Sequence, residues 1–279
     1  TTLKEVEPAP STATRLTPPT FNDPYAYLQW DLNNTGSRKN FVAGMDINVH
    51  EAWKYTTGDP SVVVAVIDQG VDYTHEDLAA KMWVNEDEIP GNGIDDDNNG
   101  YIDDIHGWNF LSSEEFPKEI DWTEKGDKGH GTHVAGTVAA VNNNGLGVGV
   151  VAGGSRKGDG VKMMSCQVFS GNSSATIAAR AKAYEYAANN GACIIQCSFG
   201  LPGGNVTSDA VFEKTYNVEV AGIEYFVNYR QAYSPVDRNF AIFASGNDAR
   251  ASASYPGAIN QFLSVTAYGP DGLPTSYTN

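Results

Sequence analysis

Short apolar runs alternate along this chain with longer segments that have the length and composition of helices. The apolar runs that predict strands are 61–68, 161–169, 193–199, 240–245 and 262–267. The segments that predict helices are 130–142, 174–190 and roughly 210–232. Strands that are apolar throughout and separated by helices are typical of a parallel sheet buried on both faces. The pattern therefore predicts an α/β fold with a doubly wound, mostly parallel sheet and helices on both faces.

The beginning of the chain differs from the rest. Residues 1–21 contain four prolines and many threonines and show no periodicity, which indicates an extended N-terminal arm or linker. Residues 22–279 contain no internal repeat. We interpret them as one domain, which the length of the chain easily accommodates.

Charge and cysteine content narrow the range of partners. The net charge is −16 and the pI is about 4.5, which disfavours nucleic acid and anionic membranes and suits divalent cations. No apolar run approaches the roughly 18 residues that a membrane span requires. Three cysteines are too few for a disulfide framework. Cys193 and Cys197 fall on the same side of one predicted strand, too far apart to bridge, so we interpret all three as buried free thiols.

Two motifs carry the candidate chemistry. Asp68 follows the apolar run 62–67, and His130 opens a helix of small residues that also contains His133. A carboxylate that orients an imidazole makes it a general base, and in this chain order the third partner is a serine further on. Two alternatives stay open. Asp68 could simply end a strand in a turn, and the two histidines could bind a metal, although the helix lacks the usual glutamate.

Three motifs resemble signature motifs of the subtilisin-like serine peptidases. They are Asp-Gln-Gly at 68–70, His-Gly-Thr-His-Val-Ala-Gly at 130–136 and Ala-Ser-Gly-Asn at 244–247. The resemblance covers roughly residues 22–279. It implies a secreted, cell-surface or periplasmic serine endopeptidase that hydrolyses protein or peptide substrates through an acyl-enzyme.

The resemblance also implies roles for individual residues. Asp68 matches the orienting carboxylate, His130 the general base and Asn247 the side-chain donor of the oxyanion hole. One segment matches the strand that lines the primary specificity pocket and pairs with substrate backbone: Ser198, Phe199 and Gly200. Gln69 is a departure, because the family usually has Thr or Ser at this position.

The Gly-Thr-Ser motif that carries the serine in this family does not occur in the 279 residues. Residues 275–279 look like the segment well before it. We therefore expect the peptidase domain to be incomplete, with the serine on a C-terminal segment or a companion chain. The alternative is a non-catalytic pseudo-peptidase that binds calcium and peptides.

An acidic segment has the spacing of a calcium-binding loop. Oxygen ligands are predicted at its positions one, three, five and seven: Asp95, Asp97, Asn99 and the carbonyl of Tyr101. Gly100 stands at position six, where such loops turn sharply. Position twelve is His106 instead of a bidentate glutamate, so Asp103 or Asp104 would have to complete the shell. The alternative is a solvated acidic turn.

A second calcium site is implied mainly by the resemblance. Asp23 and Asp77 match the two carboxylates of the family's strong calcium site, and Asn144 matches its side-chain amide. Backbone carbonyls would complete an all-oxygen shell: those of Asn142, Leu146 and Val148. The alternative is a glycine-rich surface loop with an asparagine cap.

Overall fold

A computed structural model describes most of the chain. The described residues are 20–111, 119–123, 129–155, 157–171, 173–201, 208–232 and 234–279. The predicted N-terminal arm, residues 1–21, lies outside the described residues except for its last two positions.

The described residues contain a seven-stranded sheet. Its strands are β1 (Val63–Gln69), β2 (Gly107–Asn109), β3 (Lys162–Ser170), β4 (Ser173–Ser174), β5 (Ala192–Cys197), β6 (Phe240–Ala244) and β7 (Leu263–Val265). The spatial order is β2-β3-β1-β5-β6-β7, and every pair along this path is parallel. Only β4 is antiparallel, as it folds back on β3. The predicted α/β fold with a mostly parallel sheet is therefore confirmed.

The helices flank this sheet. They are α1 (Val49–Ala52), α2 (His130–Ala139), α3 (Ile177–Asn189), α4 (Asp209–Thr215) and α5 (Asn217–Asn228), with short 3-10 turns at Ala26–Leu28 and Ala79–Lys81. The prediction of one helix over 210–232 is wrong, because the segment is broken at Tyr216 (φ −118°, ψ 30°). The Tyr216 ring stacks on Phe212, whose ring also stacks on Tyr255. Aromatic packing thus accompanies the break, which no local pattern indicated.

Strand β1 lies at the centre of the sheet and is buried on both faces. Ala65 and Ile67 contribute to the larger core, which lies beneath α3 and α5. Val64 and Val66 contribute to the second core, which packs against α2. Because both faces are covered, the strand is apolar at successive positions instead of alternating.

On the face that packs against α2, the strands β6 and β7 are left uncovered. Phe240, Leu263 and Val265 are 46%, 50% and 58% exposed, whereas Ala241 and Phe243 on the opposite face are buried. We call the four large apolar residues of β6 and β7 on the uncovered side the open face: Phe240, Ile242, Leu263 and Val265. Cross-strand pairing of Ile242 with Leu263 makes the open face continuous.

All three cysteines are buried and free, as predicted. Burial raises the pKa of the Cys197 thiol, and the nearby carboxylates of Asp68 and Glu219 raise it further. Burial also raises the pKa of Cys166. Thiols that resist ionisation and lie in the core are inert packing residues.

Candidate active site

Asp68 lies near the carboxyl end of β1, on the face that packs against α2. Its side chain is almost wholly buried, and its Oδ1 accepts a hydrogen bond from the Gln69 backbone N–H at 2.7 Å. The parallel register with β3 shifts between Asp68 and Gln69. Regular pairing therefore ends here, at the edge of an open α/β sheet where active sites gather.

His130 is the first residue of α2, and its ring faces Asp68. The distance from His130 Nδ1 to Asp68 Oδ1 is 2.6 Å, and the histidine side chain is 49% exposed whereas the aspartate side chain is 2% exposed. An ionised carboxylate can only accept, so Nδ1 donates and the lone pair of the neutral ring lies on Nε2. This is the tautomer that a general base requires.

Close packing of α2 on the strand end creates this contact. A Cβ at Gly131 would overlap the carbonyl oxygen of Gln69. The helix can therefore begin directly above β1 only with glycine at this position. The small residues of the motif thus have a mechanical role, because they place the imidazole over the carboxylate.

Asp68 has one further property. Its Oδ2 is buried and has no hydrogen-bond partner among the described residues. The backbone N–H of Gln69 donates to the other carboxylate oxygen of Asp68, Oδ1. Buried carboxylate oxygens are normally satisfied by protein or water, so Oδ2 is a place where a donor fits.

Asn247 lies in the loop that follows β6 and lines a cavity of about 280 Å³ together with Ser198. The structure thus brings together two of the predicted site residues at the carboxyl ends of β5 and β6. Asn279, which sequence reasoning did not single out, fixes this loop. Its Oδ1 accepts hydrogen bonds from the backbone N–H groups of Asp248 (2.8 Å) and Arg250 (3.1 Å).

The segment from Ser198 to Gly200 follows β5 and lies outside the strand, which ends at Cys197. The Phe199 ring packs edge-on against Phe169, with ring centroids 5.0 Å apart. At Gly200 a Cβ would lie 3.0 Å from the Cβ of Ser254, so the segment passes close to the neighbouring loop. Phe199 therefore anchors the segment to the core.

The metal alternative for the two histidines finds no support. His133 is exposed on α2. Within the described ranges, the only group of three or more potential metal-ligating side chains is Glu88, Asp95 and Asp97, and neither histidine belongs to it. The candidate ligand atoms of that acidic group all lie within 4.8 Å of one another.

Glu88 is a candidate ligand that sequence reasoning missed. It precedes the predicted loop by seven positions, so the one-three-five spacing could not reveal it. Its side chain is buried, and it accepts hydrogen bonds from the backbone N–H groups of Asp97 (3.2 Å) and Asp103 (3.0 Å). The loop therefore folds around the Glu88 carboxylate.

The two candidates for completing the shell are differently placed. Asp103 accepts from the backbone N–H groups of Gly91 (2.8 Å) and Gly93 (2.9 Å). Among the described residues, neither Asp103 nor Asp104 belongs to the group formed by Glu88, Asp95 and Asp97. Asp104 is 1% exposed and accepts from Asn99 Nδ2 (3.1 Å) and from the Tyr186 hydroxyl (2.6 Å). Burial raises the pKa of Asp104, although these donors partly oppose the shift. Asp104 is thus joined directly to Asn99, one of the predicted ligands.

Tyr101, whose carbonyl is predicted at position seven, is placed by its ring and its backbone. Its N–H donates to Asn99 Oδ1 at 2.7 Å. Its ring packs edge-on against Trp108 and Tyr186, at centroid distances of 5.2 Å and 4.8 Å. The acidic loop is therefore tied to the main core.

Asp23 and Asp77 meet the loop 142–148, as the second predicted site requires. Asp23 accepts from the backbone N–H of Asn144 at 3.0 Å, and Asp77 Oδ1 contacts the Asn144 side-chain amide at 2.6 Å. Burial raises the pKa of Asp77, and the charge of Asp23 raises it further. Two neighbouring buried carboxylates of like charge form a donor set that fits a hard cation.

The three residues of this loop whose backbone carbonyls are predicted ligands are held by local hydrogen bonds. The Asn142 side chain is fully buried and bonds both backbone groups of Val150, at 2.6 Å and 3.0 Å. The N–H of Leu146 donates to Asn144 Oδ1 at 2.8 Å, and the N–H of Val148 donates to Asp77. The loop is therefore held around the two carboxylates.

No described helix combines the length and the apolar character that crossing a bilayer demands.

A parallel α/β sheet with a buried carboxylate at a strand end, bonded to the imidazole that opens the next helix, has the acid–base half of a Ser-His-Asp hydrolase. A family model described as the subtilase family, peptidase family S8, matches residues 59–279. The chain belongs to the subtilase family.

Individual relatives agree with this assignment. Subtilisin-like protease 1 of Plasmodium berghei (strain Anka) is 30% identical over 262 residues, which are 93% of this chain and 36% of that protein. Halolysin of Haloferax mediterranei is 29% identical over 85% of this chain and 36% of its own length. Thermitase of Thermoactinomyces vulgaris is 26% identical over 92% of this chain and 68% of its own length. The chain therefore spans about a third of the length of the first two relatives.

Solved structures show the same fold. The serine protease of Aeromonas sobria is 20% identical, with a TM-score of 0.62 over 99% of this chain and 45% of that chain. The same protease in complex with its chaperone gives a TM-score of 0.63 over 92% of this chain and 41% of that chain. At this level of identity the likeness concerns the fold alone.

Proposed function

We propose that this chain supplies the acid, the base and the oxyanion donor of a calcium-stabilised serine endopeptidase. The observation that carries the proposal is the 2.6 Å contact between buried Asp68 and half-exposed His130 in a chain of the subtilase family. The substrates are proteins or peptides, and the site of action is outside the cytoplasm: secreted, on the cell surface or in the periplasm.

Each proposed catalytic residue has a defined step. Asp68 holds His130 with Nε2 as the acceptor, so that the ring takes the proton of a serine hydroxyl as the oxygen attacks the scissile carbonyl. Asp68 then stabilises the imidazolium. Asn247 donates a hydrogen bond to the oxyanion of the tetrahedral intermediate. His130 returns the proton to the leaving amine, which leaves an acyl-enzyme that water hydrolyses.

The nucleophilic serine belongs, in this proposal, to a segment outside the 279 residues. The open face supports this, because it leaves a row of apolar side chains uncovered beside α2. Parallel sheets of this class normally bury both faces. In this proposal, a helix on that segment covers the open face and carries the serine that meets His130. The segment is either a continuation of the chain or a companion chain.

Calcium has a structural role in the proposal. In the acidic loop, the proposed ligands are Glu88, Asp95, Asp97, Asn99, the Tyr101 carbonyl and Asp104. Around the loop 142–148, they are Asp23, Asp77, Asn144 and the carbonyls of Asn142, Leu146 and Val148. A hard cation favours such all-oxygen shells, and it would relieve the repulsion between buried carboxylates.

Substrate binding is proposed at the segment from Ser198 to Gly200. This segment leaves β5 at the same sheet edge as Asn247, and its first residue, Ser198, lines the same cavity. An extended peptide could pair with its backbone, as an added strand does. Phe199, anchored on Phe169, would then position the pairing groups without contacting the reacting atoms.

A fluorophosphonate probe applied to the complete protein tests the activity. We expect covalent labelling of one serine, abolished by His130→Ala and unaffected by His133→Ala, the matched histidine on the same helix. Labelling that survives His130→Ala would refute the assignment of the base. Peptide binding without labelling or cleavage would instead identify the pseudo-peptidase.

A further inference from the structure

The chain contains four asparagines that are followed directly by glycine: Asn92, Asn99, Asn144 and Asn190. Asparagine is a chemically labile residue, and a following glycine makes it most so, because nothing shields the glycine nitrogen. Three of these four pairs share one arrangement of hydrogen bonds. One carboxylate accepts from the N–H of the glycine, and a second carboxylate accepts from the side-chain amide of the asparagine. The arrangement bears on covalent modification and is independent of the proposed peptidase activity.

Asn99 and Gly100 show the arrangement most fully. The N–H of Gly100 donates to Asp95 Oδ2 at 2.9 Å. The Asn99 side-chain oxygen accepts from the N–H of Tyr101 at 2.7 Å, and its Nδ2 donates to Asp97 at 2.9 Å. Both ends of the amide and the neighbouring N–H are therefore held.

The same three contacts recur at Asn144. The N–H of Gly145 donates to Asp23 Oδ1 at 3.2 Å. The Asn144 oxygen accepts from the N–H of Leu146 at 2.8 Å, and its Nδ2 donates to Asp77 at 2.6 Å. Both loops share the sequence Asn-Asn-Gly and a left-handed backbone at its first and third residues, with φ values of 57° and 93° at Asn98 and Gly100 and of 60° and 77° at Asn143 and Gly145. The bond from the N–H of residue i+2 belongs to this local turn, whereas the carboxylates Asp23 and Asp77 come from distant segments.

Asn92 repeats the arrangement a third time. The N–H of Gly93 donates to Asp103 at 2.9 Å, the Asn92 oxygen accepts from the N–H of Ile94 at 2.7 Å, and its Nδ2 donates to Asp96 at 2.8 Å.

At Asn190 the corresponding partners are backbone carbonyls. The N–H of Gly191 donates to Ala188 at 3.2 Å, and Asn190 Nδ2 donates to Tyr186 at 3.1 Å.

The glycines themselves are difficult to replace. Gly100 and Gly145 have φ values of +93° and +77°, a region that other residues rarely adopt. The labile pairs are thus built into both loops by their backbone geometry.

Deamidation requires the glycine nitrogen to attack the side-chain carbonyl carbon of the asparagine. A bond forms between that nitrogen and Cγ, the bond from Cγ to Nδ2 breaks, and the amide leaves as ammonia with the proton of the glycine N–H. Water then opens the cyclic imide to aspartate or isoaspartate. A carboxylate bonded to the N–H opposes loss of that proton, and an amide held at both ends cannot turn toward the nitrogen.

We propose that Asn99 and Asn144 are latent deamidation sites that are kept unreactive by Asp95 and Asp23, the carboxylates bonded to the following glycine N–H groups. Each aspartate acts as a protecting residue for one Asn-Gly pair. If the protection is lost, a neutral amide becomes an additional negative charge, or an isomerised backbone, in an already acidic loop.

The test follows deamidation of the full chain in mildly alkaline buffer, by peptide mass mapping with isoaspartate detection. In Asp95→Ala, we expect deamidation at Asn99 to be at least about tenfold faster than in the wild type, the factor that one hydrogen bond to a charged group supplies. Asn144 in the same molecules should keep its wild-type rate. Asp23→Ala should give the reciprocal result.

Two controls separate protection from general effects. Asp87→Ala removes the same charge from an exposed position near the loop and should leave the Asn99 rate unchanged. Asn92 reports on local unfolding, because it lies in the same acidic segment but is protected by Asp103. If Asp95→Ala accelerates Asn92 and Asn99 equally, the loop has unfolded and the specific role of Asp95 is wrong. Asp95→Asn, which keeps an acceptor oxygen, should give a rate between the two.

Two further results would overturn the proposal. One is deamidation of Asn99 in the folded wild type as fast as in the urea-denatured chain. The other is an equal Asn99 rate in Asp95→Ala and Asp87→Ala.

Discussion

At the scale of single residues, the geometry around Asp68 and His130 depends on a few close contacts. Asp68 is buried and His130 is half exposed, so the imidazole is open to solvent while the carboxylate stays shielded. Gly131 permits this by letting α2 begin directly on the strand end. A shielded carboxylate interacts more strongly with the imidazolium than a solvated one would, because the effective dielectric is lower.

Asn247→Ala should lower kcat of the complete protein by about 10²–10³, a magnitude that comes from subtilisin, another subtilase, with little change in KM. The reason is that the amide would bond the oxyanion of the transition state and not the ground-state carbonyl. Steady-state kinetics on a peptide substrate measure this. Asp248→Ala, the neighbouring exposed substitution, should leave kcat unchanged. An equal loss in both variants, or a change in KM alone, would contradict the oxyanion role.

Asp104 supplies a pH-dependent prediction. Its folded-state pKa is raised above the usual 3.8 by burial, so its contribution to stability is present below that value and is lost as pH rises through the folded pKa. Asp104→Asn does not titrate. In a chelating buffer, the stability of the wild type relative to Asp104→Asn should therefore fall as pH rises from acid toward neutral. Urea midpoints measured across this range test it, and parallel curves for the two proteins would contradict it.

At the scale of elements, α3 and α5 are joined by a buried ion pair. Arg180 donates to both carboxylate oxygens of Glu219 at 2.8 Å, and Tyr184 adds a hydrogen bond at 3.1 Å. Arg180 and Glu219 are 9% and 1% exposed. Because burial removes both groups from water, the pair matters chiefly when one partner is missing.

Glu219→Ala should therefore destabilise the fold by about 3–5 kcal/mol, since it leaves the Arg180 charge buried and unpaired. The double variant Arg180→Met with Glu219→Leu should recover most of the loss. Denaturant unfolding measures both. Asp237→Ala breaks the exposed pair with Arg230 and serves as the control, for which we expect no measurable change. Equal effects of the buried and the exposed substitution would contradict this account.

The acidic loop should respond to calcium as an element. At a hundredfold excess over its dissociation constant, a ligand that binds only the folded state adds about 2.7 kcal/mol, so calcium should raise Tm and chelator should lower it. Glu88→Gln should reduce the calcium-dependent shift. Asp87→Asn, which removes the same charge next to it on an exposed side chain, should not. Identical melting curves in saturating calcium and in excess chelator would refute both proposed calcium sites.

At the scale of the whole molecule, the open face is the feature that sets the behaviour of residues 1–279. Exposed apolar patches beyond a few hundred Å² are uncommon on soluble monomers and usually mark an interaction surface. Leu263 and Val265, on the edge strand β7, are half exposed or more.

Residues 1–279 alone should therefore associate or bind an apolar dye, and should not react with a fluorophosphonate probe. Leu263→Lys with Val265→Lys should reduce association without lowering Tm, because both side chains are exposed. Ile89→Lys, at an exposed isoleucine outside the open face, is the control and should change neither. If residues 1–279 are monomeric, melt cooperatively and hydrolyse casein, then the proposals of a covering segment and of a serine outside these residues are both refuted.

The sequence by itself determined the features that depend on local periodicity. Apolar strands such as β1 and the small-residue helix that His130 opens are visible in the sequence because burial on both faces and close packing each restrict successive residues. The family followed from the same short motifs. The strand β2, only three residues long, and the two-residue β4 were missed because so few residues carry no periodic signal.

Tertiary structure decided everything that depends on distant segments meeting. It placed Glu88 against Asp95 and Asp97, and it joined Asp104 to Tyr186 of α3. It also broke the predicted helix at Tyr216. The physical reason is the same in each case. Side-chain contacts across the chain are fixed by how elements pack, and the spacing of residues within one segment contains no information about which other segment will lie against it.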